Sequence, residues 1–126
     1  MLSKVLLVGL GGFFGAVVRF LVVHYLSPYM GSFPLGILVV NVVGSFLMGF
    51  LLFITANDQV IPDVYKGLIA VGFLGSLTTM SALAFDSYLF AEEGDFLMAV
   101  ANMILNVVLC FSAVVLGKWM AGLLST

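Results

Sequence analysis

The chain has 126 residues, of which 63% are hydrophobic and only 8% are charged. A soluble domain of this size needs about a quarter of its residues charged to cover its surface, so this composition excludes a water-soluble globule. The few Lys and Arg residues form no basic cluster that would indicate nucleic acid, and no nucleophile–base arrangement indicates an enzyme. The lone Cys110 cannot form a disulfide within the chain.

Long apolar stretches predict an all-α integral membrane protein, with residues 1–126 forming a single domain of four transmembrane helices. The predicted spans are Leu2–Tyr25, Phe33–Thr55, Tyr65–Leu89 and Asp95–Leu123. We expect Ser27 and Pro28 to break the chain after the first span, and Pro34 to lie in the first turn of the second. The connections are short, so neighbouring helices are predicted to be antiparallel.

The distribution of lysines predicts the orientation in the membrane. Lys4, Lys66 and Lys118 all fall on the side of the two termini and the second connection, whereas the first and third connections contain no Lys or Arg. The positive-inside rule then places both termini in the cytoplasm. The predicted location is the inner membrane of the cell, which the chain crosses several times.

Four helices of this length enclose little volume, so a transport path through one copy is hard to build. Small residues recur at helix-packing spacing, at Gly11 with Gly15 and at Ser45 with Gly49. Such spacing suits close approach between helices. We therefore expect an oligomer, most simply a dimer.

The third predicted span carries two glycines and four hydroxyl side chains in the segment Gly72–Ser81, at mid-membrane. Glycine weakens a helix, and Ser and Thr offer the backbone alternative partners. Broken backbone at this depth is tolerated only where it is buried in protein or lines a polar cavity. The segment predicts a helix break whose carbonyls coordinate a small cation, or else a continuous helix packed through small residues.

Two polar residues lie inside the first two spans. Arg19 is the only charged residue in the interior of the first span. It either serves an ion pathway or extends its long side chain to the membrane surface. Asn41 lies near the middle of the second span, where it either lines a pathway or joins two helices by a hydrogen bond.

In the fourth span Asn102, Asn106 and Cys110 recur every four residues, so they share one helix face. Together with Asn41 and Ser81 they predict a polar stripe facing a partner or a pore. The alternative is a packing seam with local hydrogen bonds.

Three segments together resemble the Fluc/CrcB family of fluoride channels, in the family's order and spacing. They are Gly11–Arg19 (GGFFGAVVR), Pro34–Asn41 (PLGILVVN) and Gly72–Ser81 (GFLGSLTTMS). The resemblance implies an antiparallel, dual-topology homodimer, or a heterodimer with a paralogue, in which fluoride leaves the cell through two pores along the dimer interface. It also implies a sodium ion at the dimer centre.

The resemblance assigns roles to particular residues. The backbone carbonyls of Gly75 and Thr78 match those that hold the sodium ion. The residues that match the anion pathway are Arg19 at its vestibule, Asn41 and Ser81 in the pore, Asn106 on the fourth helix, and Met80 and Leu83 at the two pore-aromatic positions.

The chain departs from the family pattern after the predicted break. Members usually show Thr-Phe-Ser-x-Phe, whereas this chain reads Thr79-Met80-Ser81-Ala82-Leu83. Three functions therefore stay open: a fluoride channel without the usual aromatic pair, a partner subunit of a heterodimer, and a channel of this fold for another ion such as a cation. A proton-coupled multidrug exporter is disfavoured, because the first span contains no Glu.

Overall fold

The computed structural model describes residues 1–26, 33–57 and 61–124. The described elements are α1 (Leu2–Leu26), α2 (Leu35–Asn57), α3 (Asp63–Lys66), a π-helical segment (Gly67–Leu74), α4 (Gly75–Leu77), α5 (Met80–Glu92) and α6 (Phe96–Leu124). The third span comprises everything from α3 to α5. The predicted chain break at Ser27 and Pro28 lies outside the described residues.

The prediction of four spans is confirmed. Helices long and apolar enough to cross a membrane run over Leu2–Leu26, Leu35–Ala56, Asp63–Glu92 and Phe96–Leu124. The largest difference from the predicted bounds is at the end of the third span, which continues beyond Leu89.

Two helix starts differ slightly from the prediction. Pro34 precedes α2 rather than lying in its first turn, and its carbonyl accepts a hydrogen bond from the Leu38 N–H at 3.3 Å. Asp95 lies just before α6, and its carboxylate accepts from the Met98 N–H at 3.0 Å. Asp95 therefore caps α6 instead of forming its first turn, because a carboxylate at that position satisfies an otherwise free N–H group.

Glycines bring α1 against the third span. A Cβ added at Gly11 would collide with the Leu68 carbonyl, and one added at Gly15 would collide with the Phe73 carbonyl. No side chain larger than hydrogen fits at either position unless the two helices move apart. The close approach expected at Gly11 and Gly15 is thus made within one chain, not between copies.

A second glycine contact joins α2 to α6. A Cβ at Gly49 would collide with the Val114 carbonyl, and one at Gly117 would collide with the Phe46 carbonyl. The two helices run in the same direction, as expected for elements separated by two antiparallel turns. Between α2 and the third span lies a small apolar core of Val40, Leu74 and Leu77.

The glycine contact at Gly117 predicts a selective loss of stability. Gly117→Leu should destabilise the fold by about 3 kcal/mol, because the new side chain overlaps backbone that cannot yield without separating α2 from α6. Gly9→Leu is the matched control, since a Cβ at Gly9 meets nothing within 4 Å. Thermal unfolding of both variants in one detergent measures the difference. Equal unfolding midpoints would contradict this account of the packing.

Candidate functional site

The third span is interrupted at Thr78 and Thr79, which confirms the predicted break. Both residues have extended backbone, with φ/ψ of −80°/150° and −151°/116°. Thr78 ends α4 by directing its N–H and its hydroxyl to the Leu74 carbonyl, at 3.1 and 3.0 Å. Thr79 begins α5, since its hydroxyl accepts from the Ala82 N–H at 3.2 Å. The Thr79 hydroxyl thus replaces a helical acceptor at the start of α5, while the Thr78 hydroxyl adds a second donor to the last carbonyl contact of α4.

Asn41 of α2 pairs with the backbone in the middle of this break. The Thr79 N–H donates to Asn41 Oδ1 at 2.8 Å, and Asn41 Nδ2 donates to the Thr79 carbonyl at 3.2 Å. In a continuous α-helix the Thr79 N–H would donate to the Gly75 carbonyl instead. Asn41 therefore satisfies both polar groups of Thr79 at membrane depth, where an unpaired backbone group is costly.

A chain of polar side chains continues from Asn41. Its Nδ2 also donates to Asn106 Oδ1 at 2.9 Å, and Asn106 Nδ2 donates to the carbonyl and Oδ1 of Asn102 at 3.0 and 3.3 Å. Asn102 Nδ2 donates to the Ser87 hydroxyl at 3.1 Å, which in turn donates to the Leu83 carbonyl at 2.8 Å. We call Asn41, Asn106, Asn102 and Ser87 the polar chain. All four are buried.

A cavity of about 680 Å³, which we call the arginine cavity, lies on one side of the break. Arg19 of α1 reaches into it, with Nη1 3.5 Å from the Thr78 carbonyl. The Ser81 hydroxyl is 3.1 Å from that of Thr79, and Ser81 as a whole is an exposed residue. The cavity is lined by Ala16, Arg19, Phe20, Val23, His24, Ile37, Thr79, Ser81 and Ala82.

A second cavity of about 250 Å³, which we call the methionine cavity, lies on the other side. It is lined by Asn41, Thr78, Thr79, Met80, Leu83, Asn106, Val107 and Cys110. Met80 is 70% exposed, whereas Leu83 is 2% exposed. The two positions that match the family's aromatic pair therefore have different surroundings in this chain.

The structure brings the predicted site residues together around one feature, the break. Arg19 and Ser81 line the arginine cavity. Asn41, Met80, Leu83 and Asn106 line the methionine cavity, and Thr79 lines both. That these residues form an ion pathway, and that Gly75 and Thr78 hold sodium, stay predictions.

Comparison with known protein families identifies relatives of this chain. The model of the family described as CrcB-like protein, Camphor Resistance (CrcB) matches residues 6–118. The chain belongs to the CrcB family. Among similar proteins is the fluoride-specific ion channel FluC of Shewanella sp. (strain W3-18-1), 45% identical over 118 residues, which cover 93% of this chain and 94% of the relative. The proteins of the same name from Shewanella oneidensis and Shewanella baltica are 44% and 43% identical over the same shares.

Within this CrcB-family chain, two residues of the site are not singled out by the sequence. Thr79 carries no signal of its own, because its importance comes from a partner in another helix. Ser87 carries none, because one hydroxyl in an apolar helix makes no pattern. Asn102 is predicted to share a polar face with Asn106, but spacing does not show what that face contacts.

The pairing of Asn41 with Thr79 predicts a stability effect. Asn41→Leu leaves the Thr79 N–H and carbonyl without their partners, and it leaves Asn106 Oδ1 without its donor. We therefore expect the free energy of unfolding to fall by about 2 kcal/mol. Thr55→Val is the matched control, because the buried Thr55 hydroxyl donates to the Leu52 carbonyl of its own helix, at 3.2 Å. Thermal unfolding compares the two, and a larger loss from Thr55→Val would refute the assignment.

Proposed function

We propose that this protein is a passive fluoride channel that lets the ion leave the cell down its gradient across the inner membrane. The observation that carries the proposal is the interrupted third span, whose exposed backbone is held by Asn41 between two cavities. Membership of the CrcB family supports it, as do relatives named fluoride-specific ion channel FluC.

Fluoride is a small, strongly hydrated ion and a strong hydrogen-bond acceptor, so a path for it must replace water with donors. The arginine cavity offers the Arg19 guanidinium and the hydroxyls of Thr79 and Ser81. Because a positive charge attracts an anion more strongly in a medium of low dielectric, Arg19 would concentrate fluoride at this end of the path. We therefore assign the vestibule to the arginine cavity.

Asn41 and Asn106 have a different part in the proposed pathway. Both Nδ2 hydrogens of Asn41 are already used, one by the Thr79 carbonyl and one by Asn106. In this arrangement the amide of Asn41 has no hydrogen left to donate to an anion. We infer that Asn41 and Asn106 hold the wall of the pathway and keep the break open, while Met80 and Leu83 shape the methionine cavity.

The proposed sodium site fits the chemistry of the break. Since Asn41 takes the Thr79 N–H, the Gly75 carbonyl loses its helical donor. Carbonyl oxygens are the ligands that hard cations prefer, and the carbonyls of Gly75 and Thr78 would hold the ion, with the Thr78 oxygen using the lone pair that Arg19 leaves free. Two carbonyls fill only part of a coordination sphere, because such cations take about six oxygens or more. A second chain supplies the remainder, and the bound ion supplies positive charge that offsets repulsion between anions.

This requirement supports an antiparallel dimer, either of two copies of this chain or with a paralogue. A second candidate function follows from the departure at the break. Neither Met80 nor Leu83 offers the positive edge of an aromatic ring to an anion. A partner subunit that conducts little alone, or a channel for another ion such as a cation, would need no such edge.

Fluoride efflux from liposomes tests the proposal directly. The purified protein should release fluoride, recorded with an electrode, faster than empty liposomes do. Arg19→Gln should lower the rate about tenfold, which corresponds to loss of about 1.4 kcal/mol of attraction for the anion. Lys4→Gln is the matched control, because Lys4 is an exposed cation outside both cavities.

Efflux equal to that of empty liposomes would reject a channel formed by this chain alone. A cation flux in the same vesicles would select the other-ion function. Restored fluoride flux on adding an oppositely oriented paralogue would select the partner subunit.

The two aromatic positions predict unequal outcomes. Met80→Phe should raise fluoride efflux, because this exposed position can accept a ring whose edge faces the pathway. Leu83→Phe should instead lower stability by about 1–3 kcal/mol, since Leu83 is already enclosed. Met120→Phe makes the same change on α6, away from both cavities, and should leave the efflux rate as it is. An efflux rate unaltered by Met80→Phe would show that ring edges do not limit conduction here.

A further inference from the structure

We propose that Asn102 is a positioning residue for the ion pathway, acting through Asn106 and Asn41 on the backbone of Thr79. The pathway itself rests on the proposed function above. Asn102 is 0% exposed, so its side chain cannot touch a passing ion. It lines neither cavity, and any influence on conduction must pass through the side chains to which it is bonded.

The orientation of every amide in the polar chain follows from the end at Thr79. A backbone N–H can only donate, so Asn41 must present Oδ1 to Thr79, which directs Nδ2 of Asn41 to Asn106. Asn106 must then accept through Oδ1, and its own Nδ2 turns to Asn102. The side-chain amides of Asn41 and Asn106, the first half of the polar chain, therefore each have one allowed orientation.

The other end of the polar chain fixes the same direction of hydrogen-bond donation. The Leu83 carbonyl can only accept, so the Ser87 hydroxyl donates its one hydrogen there. The Ser87 oxygen is then left to accept from Asn102 Nδ2. Asn102 consequently offers Oδ1 to Asn106. Thr79 and Leu83 lie one helical turn apart at the start of α5, so the polar chain leaves and rejoins the same helix. Turning any one amide would set two donors or two acceptors against each other.

This fixed order of donors and acceptors connects Asn102 to the break. Without the Asn102 side chain, Asn106 Nδ2 keeps the Asn102 backbone carbonyl at 3.0 Å but loses its second acceptor, Oδ1 of Asn102 at 3.3 Å. With one acceptor fewer, Asn106 holds its Oδ1 less firmly toward Asn41 Nδ2, and the hold of Asn41 on Thr79 weakens. The Thr79 N–H would then return in part to the Gly75 carbonyl, its partner in a continuous helix. Asn102 thus biases Thr79 toward the broken form.

A simpler role, in which Asn102 and Ser87 only join α5 to α6, makes a different prediction. Local joining would lower stability without affecting Thr79, which Asn102 does not contact. The discriminating observable is therefore the protection of the Thr79 amide.

Hydrogen exchange of the full-length protein in lipid nanodiscs tests the inference. The Thr79 amide should exchange about tenfold faster in Asn102→Leu than in the unmodified protein, since one hydrogen bond of that size is lost. Ser87→Ala should also speed exchange, and it serves if Asn102→Leu does not fold. Ser112→Ala, which removes an exposed hydroxyl of α6 outside the polar chain, should leave Thr79 unaffected. Unchanged exchange at Thr79 in folded variants would overturn the proposal.

A double variant and a flux measurement complete the test. Ser87→Ala added to Asn102→Leu should speed exchange no further, because the chain is already cut. Additive effects would overturn the proposal in favour of two independent contacts. Fluoride efflux should fall about tenfold in Asn102→Leu, in step with the loss at Thr79. Full efflux despite fast exchange would refute a positioning role. If the unmodified protein conducts no fluoride, the proposed function fails, while the exchange rates still decide whether Asn102 controls Thr79.

Discussion

The structure depends on the pairing of one side-chain amide with one backbone unit. A primary amide carries an acceptor and two donors, so Asn41 can satisfy the N–H and the carbonyl of Thr79 together and still donate to Asn106. Without such a partner, opening a helix inside a membrane leaves both backbone groups unpaired, at a cost of several kcal/mol each. A second helix that brings a side-chain amide to this depth offsets this free-energy cost of opening the helix.

The opening also determines where the cavities lie. At the break the chain makes an extended step, which separates α4 from α5 and leaves Thr79 as a wall shared by both cavities. The step presents the Thr78 carbonyl to Arg19, which places the charge in the interior of the first span beside the non-helical backbone of the third. A positive group that approaches a carbonyl is stabilised in a medium of low dielectric. The same geometry thus reduces the cost of Arg19 in the membrane and directs it toward the cavity.

Local sequence predicts the spans and the break, but it does not predict the contacts between helices. The four spans follow from apolar length, and the break follows from glycines and hydroxyls concentrated at mid-membrane. The sequence does not indicate the π-helical turns of Gly67–Leu74, because no residue pattern distinguishes them from an ordinary helix. The contact between Asn41 and Thr79 joins positions far apart in the chain. A single sequence identifies Asn41 as polar and buried, but it does not identify the backbone group that Asn41 satisfies.

Different contacts supply close packing and fixed orientation in this bundle. Close approach at Gly15 and Gly49 brings backbone against backbone in both helix pairs. Small-residue contacts of this kind supply packing energy in a membrane, where apolar burial drives little association. The polar chain adds few contacts of its own, since its members are mostly bonded to one another. What it adds is direction: each of its amides has one allowed orientation, set by the backbone of Thr79 and Leu83. A helix held by packing alone would have no reason to stay open at one residue, and the polar chain supplies that reason.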